Sequence, residues 1–212
     1  MNPSILQNEL KTHQTVLEQT VEQMADVIEQ ITGAIIRCFR QGSKLLICGN
    51  GGSAADAQHI AGEFVNRFRL DHAALPAIAL TTDTSILTSI GNDSAFENIF
   101  SRQVEALAKP GDILVGISAS GGSPNILKAL DVARALGLTT IAFTGENGRG
   151  KMCPKCDLCL VVTSTDTPRI QESHIFVWHV ICGVVEQNLF SNPETETTNS
   201  TKTGSGNEEI SN

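Results

Sequence analysis

Apolar residues recur every three to four positions near the start of the chain, at Val16, Leu17, Val21, Met24, Val27, Ile28, Ile31, Ile35 and Ile36. That spacing predicts one long amphipathic helix over residues 4–40. A helix of this length ahead of the first strand has no partner within a crossover unit. Residues 1–41 are therefore expected to serve oligomerisation, with packing on their own domain as the alternative.

Beyond Gly42 the period changes. Short apolar runs at 45–48, 77–80, 113–117, 140–143 and 158–162 read as buried strands. Helical segments are expected at 53–68, 95–108, 123–136 and 167–189, with glycine at many junctions. Such alternation predicts an α/β fold over residues 42–190, a doubly wound, mainly parallel five-stranded sheet. From Ser191 to Asn212 the one apolar side chain is Ile210, so residues 191–212 are expected to form a disordered tail that cannot meet the entropy of ordering.

Composition narrows the class. The 212 residues are 41% hydrophobic and carry a net charge of −8 without a basic cluster, which disfavours nucleic acid as a partner. The most apolar stretch, Ile175 to Val185, contains His179 and falls short of the roughly 20 residues that span a bilayer, so no membrane partner is expected. The opening Met1-Asn2-Pro3-Ser4 soon meets Glu9, Lys11 and His13, unlike a secretory signal. The six cysteines are accordingly expected to be reduced thiols of a cytoplasmic protein. Cys153, Cys156 and Cys159 resemble half a zinc knuckle, but a structural site needs four ligands and no second pair stands near.

Two strand-to-helix turns suit an anion. The first, Gly49-Asn50-Gly51-Gly52-Ser53, offers bare amides and a hydroxyl at a helix start, with a mere tight connection as the alternative. The second, Ser118-Ala119-Ser120-Gly121-Gly122-Ser123-Pro124, offers three hydroxyls and two glycines before a helix that Pro124 can open. The plainer alternative is that Ser123 only caps that helix. Neither turn is a GxGxxG or Walker motif, so a sugar phosphate is favoured over a nucleotide.

Other residues carry possible chemistry. His59 and Glu63, four apart, share a helix face and can chelate a metal, although such a pair without further ligands is more often a surface or core contact. On the last helix Glu172 and His179 lie almost on one stripe, while Gln171 is offset from His179 by roughly 80°, so spacing alone selects Glu172. His174 lies in the same apolar segment, and His179 sits among Val177, Trp178, Val180 and Ile181, where a hydrogen-bonded core histidine is the ordinary expectation.

The two turns together with Thr167-Pro168-Arg169-Ile170-Gln171-Glu172 resemble the sugar isomerase (SIS) domain and, within it, the bacterial phosphoheptose isomerases. The resemblance covers about residues 5–190. It implies a SIS fold, a homotetramer with sites at subunit interfaces, and one zinc per subunit held by His59, Glu63, Gln171 and His179. It also implies substrate contacts from Asn50, Gly51, Gly52, Ser53, Glu63, Asn92, Asp93, Ser118, Ala119, Ser120, Ser123 and Gln171. Relatives commonly carry Thr where this chain has Ala119, so a contact there must come from the backbone. The expected reaction converts D-sedoheptulose 7-phosphate to D-glycero-D-manno-heptose 7-phosphate through an enediol. Glu63 would move the carbon-bound proton and His179 the protons on oxygen. The competing readings are an isomerase for another sugar phosphate and a non-catalytic binding protein of the DnaA initiator-associating type. That type resembles the fold and turns but lacks the four metal residues.

Overall fold

The computed structural model describes residues 3–191. The expected tail, apart from Ser191, lies outside them. In chain order the elements are α1 (Pro3–Arg40), β1 (Leu45–Gly49), α2 (Gly52–Val65), β2 (Ala77–Ala79), α3 (Thr84–Asp93), α4 (Ser101–Leu107) and β3 (Ile113–Ser118). They continue with α5 (Pro124–Ala135), β4 (Thr139–Gly145), α6 (Arg149–Met152), β5 (Leu158–Val162) and α7 (Thr167–Phe190).

All five strands are parallel, in the order β2-β1-β3-β4-β5. Side chains alternate across each strand, and that alternation divides the core into two layers. Leu45, Ile47, Val115, Ile117, Ile141 and Phe143 face α1, α2 and α7. Leu46, Cys48, Leu114 and Ala142 face the opposite layer, formed by α5 and the Ile99–Val104 region. Chain order reverses between β1 and β3, so the crevice beyond their carboxyl ends is where an open α/β sheet binds ligands. Register brings both strands to that edge together, with Gly49 opposite Ile117.

The second half of α1 packs on the domain through Ile31, Ile35, Ile36 and Phe39, while Ile5, Leu6 and Leu10 near its start are exposed. Two elements differ from expectation. The helix expected at 95–108 is a 3₁₀ turn at Phe96–Asn98 followed by α4. Ahead of it stands α3, which has no buried residue and therefore carries no strong core-facing period; the Asp83 side chain caps it by accepting from Ile86 N at 2.9 Å. Among the described residues no helix is long and apolar enough to cross a membrane.

The expectation of six thiols is corrected. Cys153 and Cys159 form a disulfide across a Cα separation of 5.3 Å, made possible because a 3₁₀ turn at Cys153–Lys155 folds the chain back toward β5. Cys38, Cys48 and Cys182 are buried free thiols, and burial pushes Cys48 up to about 12.

His174 is a core histidine. It is fully buried, meets Phe143 edge-on at 5.6 Å, and its Nε2 lies 3.4 Å from the Thr144 carbonyl while Nδ1 has no partner. Burial lowers its pKa to about 4, with the Thr144 contact opposing. The unfolded chain takes up this proton near pH 6.5 and the folded chain only near 4. Its contribution is thus complete above pH 6.5 and is lost as pH falls toward 4, a change of about 3 kcal/mol. Urea unfolding across that range checks this, and His174→Gln should flatten the slope.

Candidate active site

The carboxyl edge of β1 and β3 carries both turns. After Gly49 the backbone reaches φ +55° at Gly51, a left-handed conformation that glycine tolerates, and α2 starts at Gly52. Asn50 and Asn125 exchange amide hydrogen bonds, each Nδ2 donating to the other's Oδ1 at 2.9 Å, and so tie the first turn to the start of α5. The Asn50 side chain expected to meet substrate is thereby engaged in holding the two turns together.

Ser123 precedes α5 but makes no side-chain cap; its hydroxyl faces that of Ser118 at 3.0 Å. The plainer capping alternative therefore does not hold. A cleft of about 200 Å³ is lined by Asn50, Ser53, Ser118, Ala119, Ser120, Ser123, Thr167 and Gln171. Hydroxyls and helix-start amides make it chemically suited to a phosphate. Gln171 closes one side so tightly that a Cβ added at Gly52 would overlap its Nε2. Asn92 and Asp93, at the end of α3, are bonded to each other at 2.7 Å, exposed, and absent from this lining.

A second group forms where α2 meets α7. His59 Nε2 lies 3.0 Å from Glu63 Oε1 and 3.1 Å from His179 Nε2. One ligand atom from each of these three residues lies within 4.8 Å of the others. Two imidazole nitrogens and a carboxylate oxygen are a donor set that fits zinc. The group is partly open, with the His59 side chain 46% exposed and that of Glu63 23%. Burial, His59 and Arg69 lower the His179 pKa, against an opposing pull from Glu63.

Gln171, the fourth expected ligand, lines the cleft. Glu172, which spacing alone selects, is engaged elsewhere: it accepts from Arg169 at 2.7 Å and meets His13 of α1 at 2.8 Å. Its role in the structure is to bind α1 to α7.

Three residues near the site gave no sequence signal. Asn125 is the amide partner of Asn50. Phe68 stacks on His179 at 5.3 Å, and burial pushes the Asp56 carboxyl up to about 6 against the opposing pull of His59.

Residues 10–145 match the SIS domain family. The chain is 53% identical over 187 residues to the phosphoheptose isomerase of Trichlorobacter lovleyi, covering 88% of this chain and 95% of that one. The solved phosphoheptose isomerase of Neisseria gonorrhoeae superposes with a TM-score of 0.82 at 38% identity, over 88% of this chain and all of that one. That of Francisella tularensis gives 0.83 at 34% identity, over 88% and 99%.

Proposed function

From this chain's membership of the SIS-domain family, where it belongs with the phosphoheptose isomerases, we propose how its own residues carry the reaction. The activity is isomerisation of D-sedoheptulose 7-phosphate to D-glycero-D-manno-heptose 7-phosphate. The observation that carries the assignment of roles is the pairing, along one helix, of a phosphate-type cleft with a carboxylate and imidazole cluster. Gln171 at the cleft and His179 at the cluster are eight residues apart on α7, about 12 Å along its axis. A sugar phosphate can therefore lie with its phosphate in one and its reacting carbons beside the other.

In this reading Ser53, Ser118, Ser120 and Ser123 donate hydroxyl hydrogen bonds to the phosphate, and Ala119 and the glycines offer backbone amides. Glu63 takes the proton from one carbon and returns it to its neighbour. Its Oε1 faces His59, which leaves Oε2 for the proton. His179 presents Nε2 to His59, so Nδ1 remains to hold or move a proton at the sugar oxygens. A zinc ion, one per subunit, would be held by His59, Glu63 and His179, while Gln171, the fourth ligand that the resemblance implies, stands in the cleft lining and would have to reach the cluster from there. When bound it supplies positive charge that polarises the substrate carbonyl.

The same reading makes the protein a cytoplasmic homotetramer. An apolar groove of about 560 Å³ between α1 and α7, with Val21, Phe176, Val180 and Val184 exposed beside it, supports a subunit contact there. A second subunit would also give Asn92 and Asp93 a cleft to enter. One preparation tests these points together: a tetrameric mass by light scattering, about one zinc per chain, turnover lost on chelation and regained with zinc. Full turnover by metal-free protein would remove zinc from the account, and a monomeric mass would remove the tetramer.

A further inference from the structure

The turn after α2 is almost wholly exposed between Val65 and Asp71, yet it holds an aromatic ring against a proposed catalytic histidine. What fixes it is a carboxylate from the other helix. Glu186, 1% exposed, lies seven residues beyond His179 on α7 and so on nearly the same stripe. Its carboxylate accepts backbone N–H bonds from Phe68, Arg69 and Leu70, the last two at 2.9 and 3.1 Å. His72 donates to it as well, Nε2 to Oε1 at 3.0 Å, from a fully buried ring stacked on Phe190 at 4.6 Å.

Burying a carboxylate is costly unless its oxygens are satisfied. Here four donors on one short turn meet one side chain. Burial raises the Glu186 pKa, but the three amides and His72 outweigh it and hold the carboxyl below its usual range. Such a clamp fixes the backbone of 68–70, and the backbone aims the Phe68 ring. That ring lies 25° from parallel to the His179 imidazole, and the Arg69 guanidinium lies over it at 5.0 Å.

We propose that Glu186 is a positioning residue for the isomerase: through the turn it clamps, it presses Phe68 against His179 and so sets the orientation of that imidazole. The proposal rests on the reading of His179 given above. Glu186 bonds to the 68–72 turn and to neither His59 nor Glu63, and its action passes through Phe68.

Two variants test it, Phe68→Leu, which leaves the clamp whole, and Glu186→Gln, which weakens it. In Phe68→Leu zinc affinity, measured by chelator competition, should fall about tenfold. The kcat should fall about tenfold too, with KM within about twofold, since substrate binding at the cleft is untouched. Glu186→Gln should move the same quantities and also speed amide exchange at Phe68, Arg69 and Leu70. In metal-free protein, the His179 ring should give one sharp set of NMR signals in the parent and broadened or doubled signals in both variants. Unchanged kcat, zinc affinity and His179 signals in folded Phe68→Leu would overturn the proposal. If the parent fails to convert heptulose phosphate, the isomerase reading falls, while the NMR and exchange readouts still decide the clamp.

Discussion

Replacing Glu63 by Gln is expected to lower turnover of sedoheptulose 7-phosphate about 10³-fold while the protein stays folded, because a positioned general base contributes 10²–10⁴. The amide keeps the shape of the carboxylate and can still meet His59, so α2 has no packing reason to shift. What is lost is the ability to accept a proton from carbon. Glu63 is also a proposed ligand, and the zinc content of the variant separates the two roles. Lost turnover with zinc retained identifies the base, and lost turnover with lost zinc identifies the ligand. Turnover within tenfold of the parent would remove Glu63 from the chemistry.

The second large effect is expected at Gly121. Its φ is +63°, and an added Cβ would overlap the Gly148 Cα and stand 3.1 Å from Thr144 Oγ1. Both neighbours are fixed. Thr144 Oγ1 donates to the Ser118 carbonyl at 2.7 Å, and a Cβ on Gly148 would in turn overlap Thr144 Oγ1. Alanine at 121 therefore meets backbone strain of about 1–2 kcal/mol and overpacking of about 1–3 kcal/mol. The turn from Ser118 to Ser123 must give way, which misplaces the hydroxyls proposed to hold phosphate. Gly121→Ala should raise KM at least about tenfold, with kcat less affected, and should weaken inhibition by inorganic phosphate in parallel. Unchanged KM and unchanged urea stability would show that the turn neither strains nor binds.

The fold was readable where burial imposes a period. β1, β3, β4 and β5 declare themselves as short apolar runs because both sheet faces are largely covered there, β2 reads as one although Ile78 at the sheet edge is exposed, and α1 and α7 carry apolar positions at helical spacing. Where burial is absent the period is absent too, which is why the sequence carries no signal for α3. The segment 95–108 reads as one helix because Ile99, Phe100 and Val104 are all buried, yet the chain breaks between Asn98 and Ser101.

At the site, the residue types were legible and the partnerships were not. Helical arithmetic selects Glu172 over Gln171, and only the contacts of Glu172 with His13 and Arg169 show why it is engaged elsewhere. The amide pair of Asn50 and Asn125 joins residues 75 apart, and the clamp of Glu186 on the 68–72 turn spans more than a hundred. No local pattern encodes such pairs. The Cys153–Cys159 bond is hidden from the sequence for a related reason: composition speaks to compartment, whereas the bond follows from a turn that only the folded chain reveals.

The most direct test follows sedoheptulose 7-phosphate by NMR with the zinc-loaded parent protein and Glu63→Gln side by side. The parent should produce D-glycero-D-manno-heptose 7-phosphate until the two sugars reach equilibrium, and the variant, equally folded, should leave the ketose unchanged on the same timescale. Equal rates in the two proteins, or no aldose from the parent, would contradict this reading.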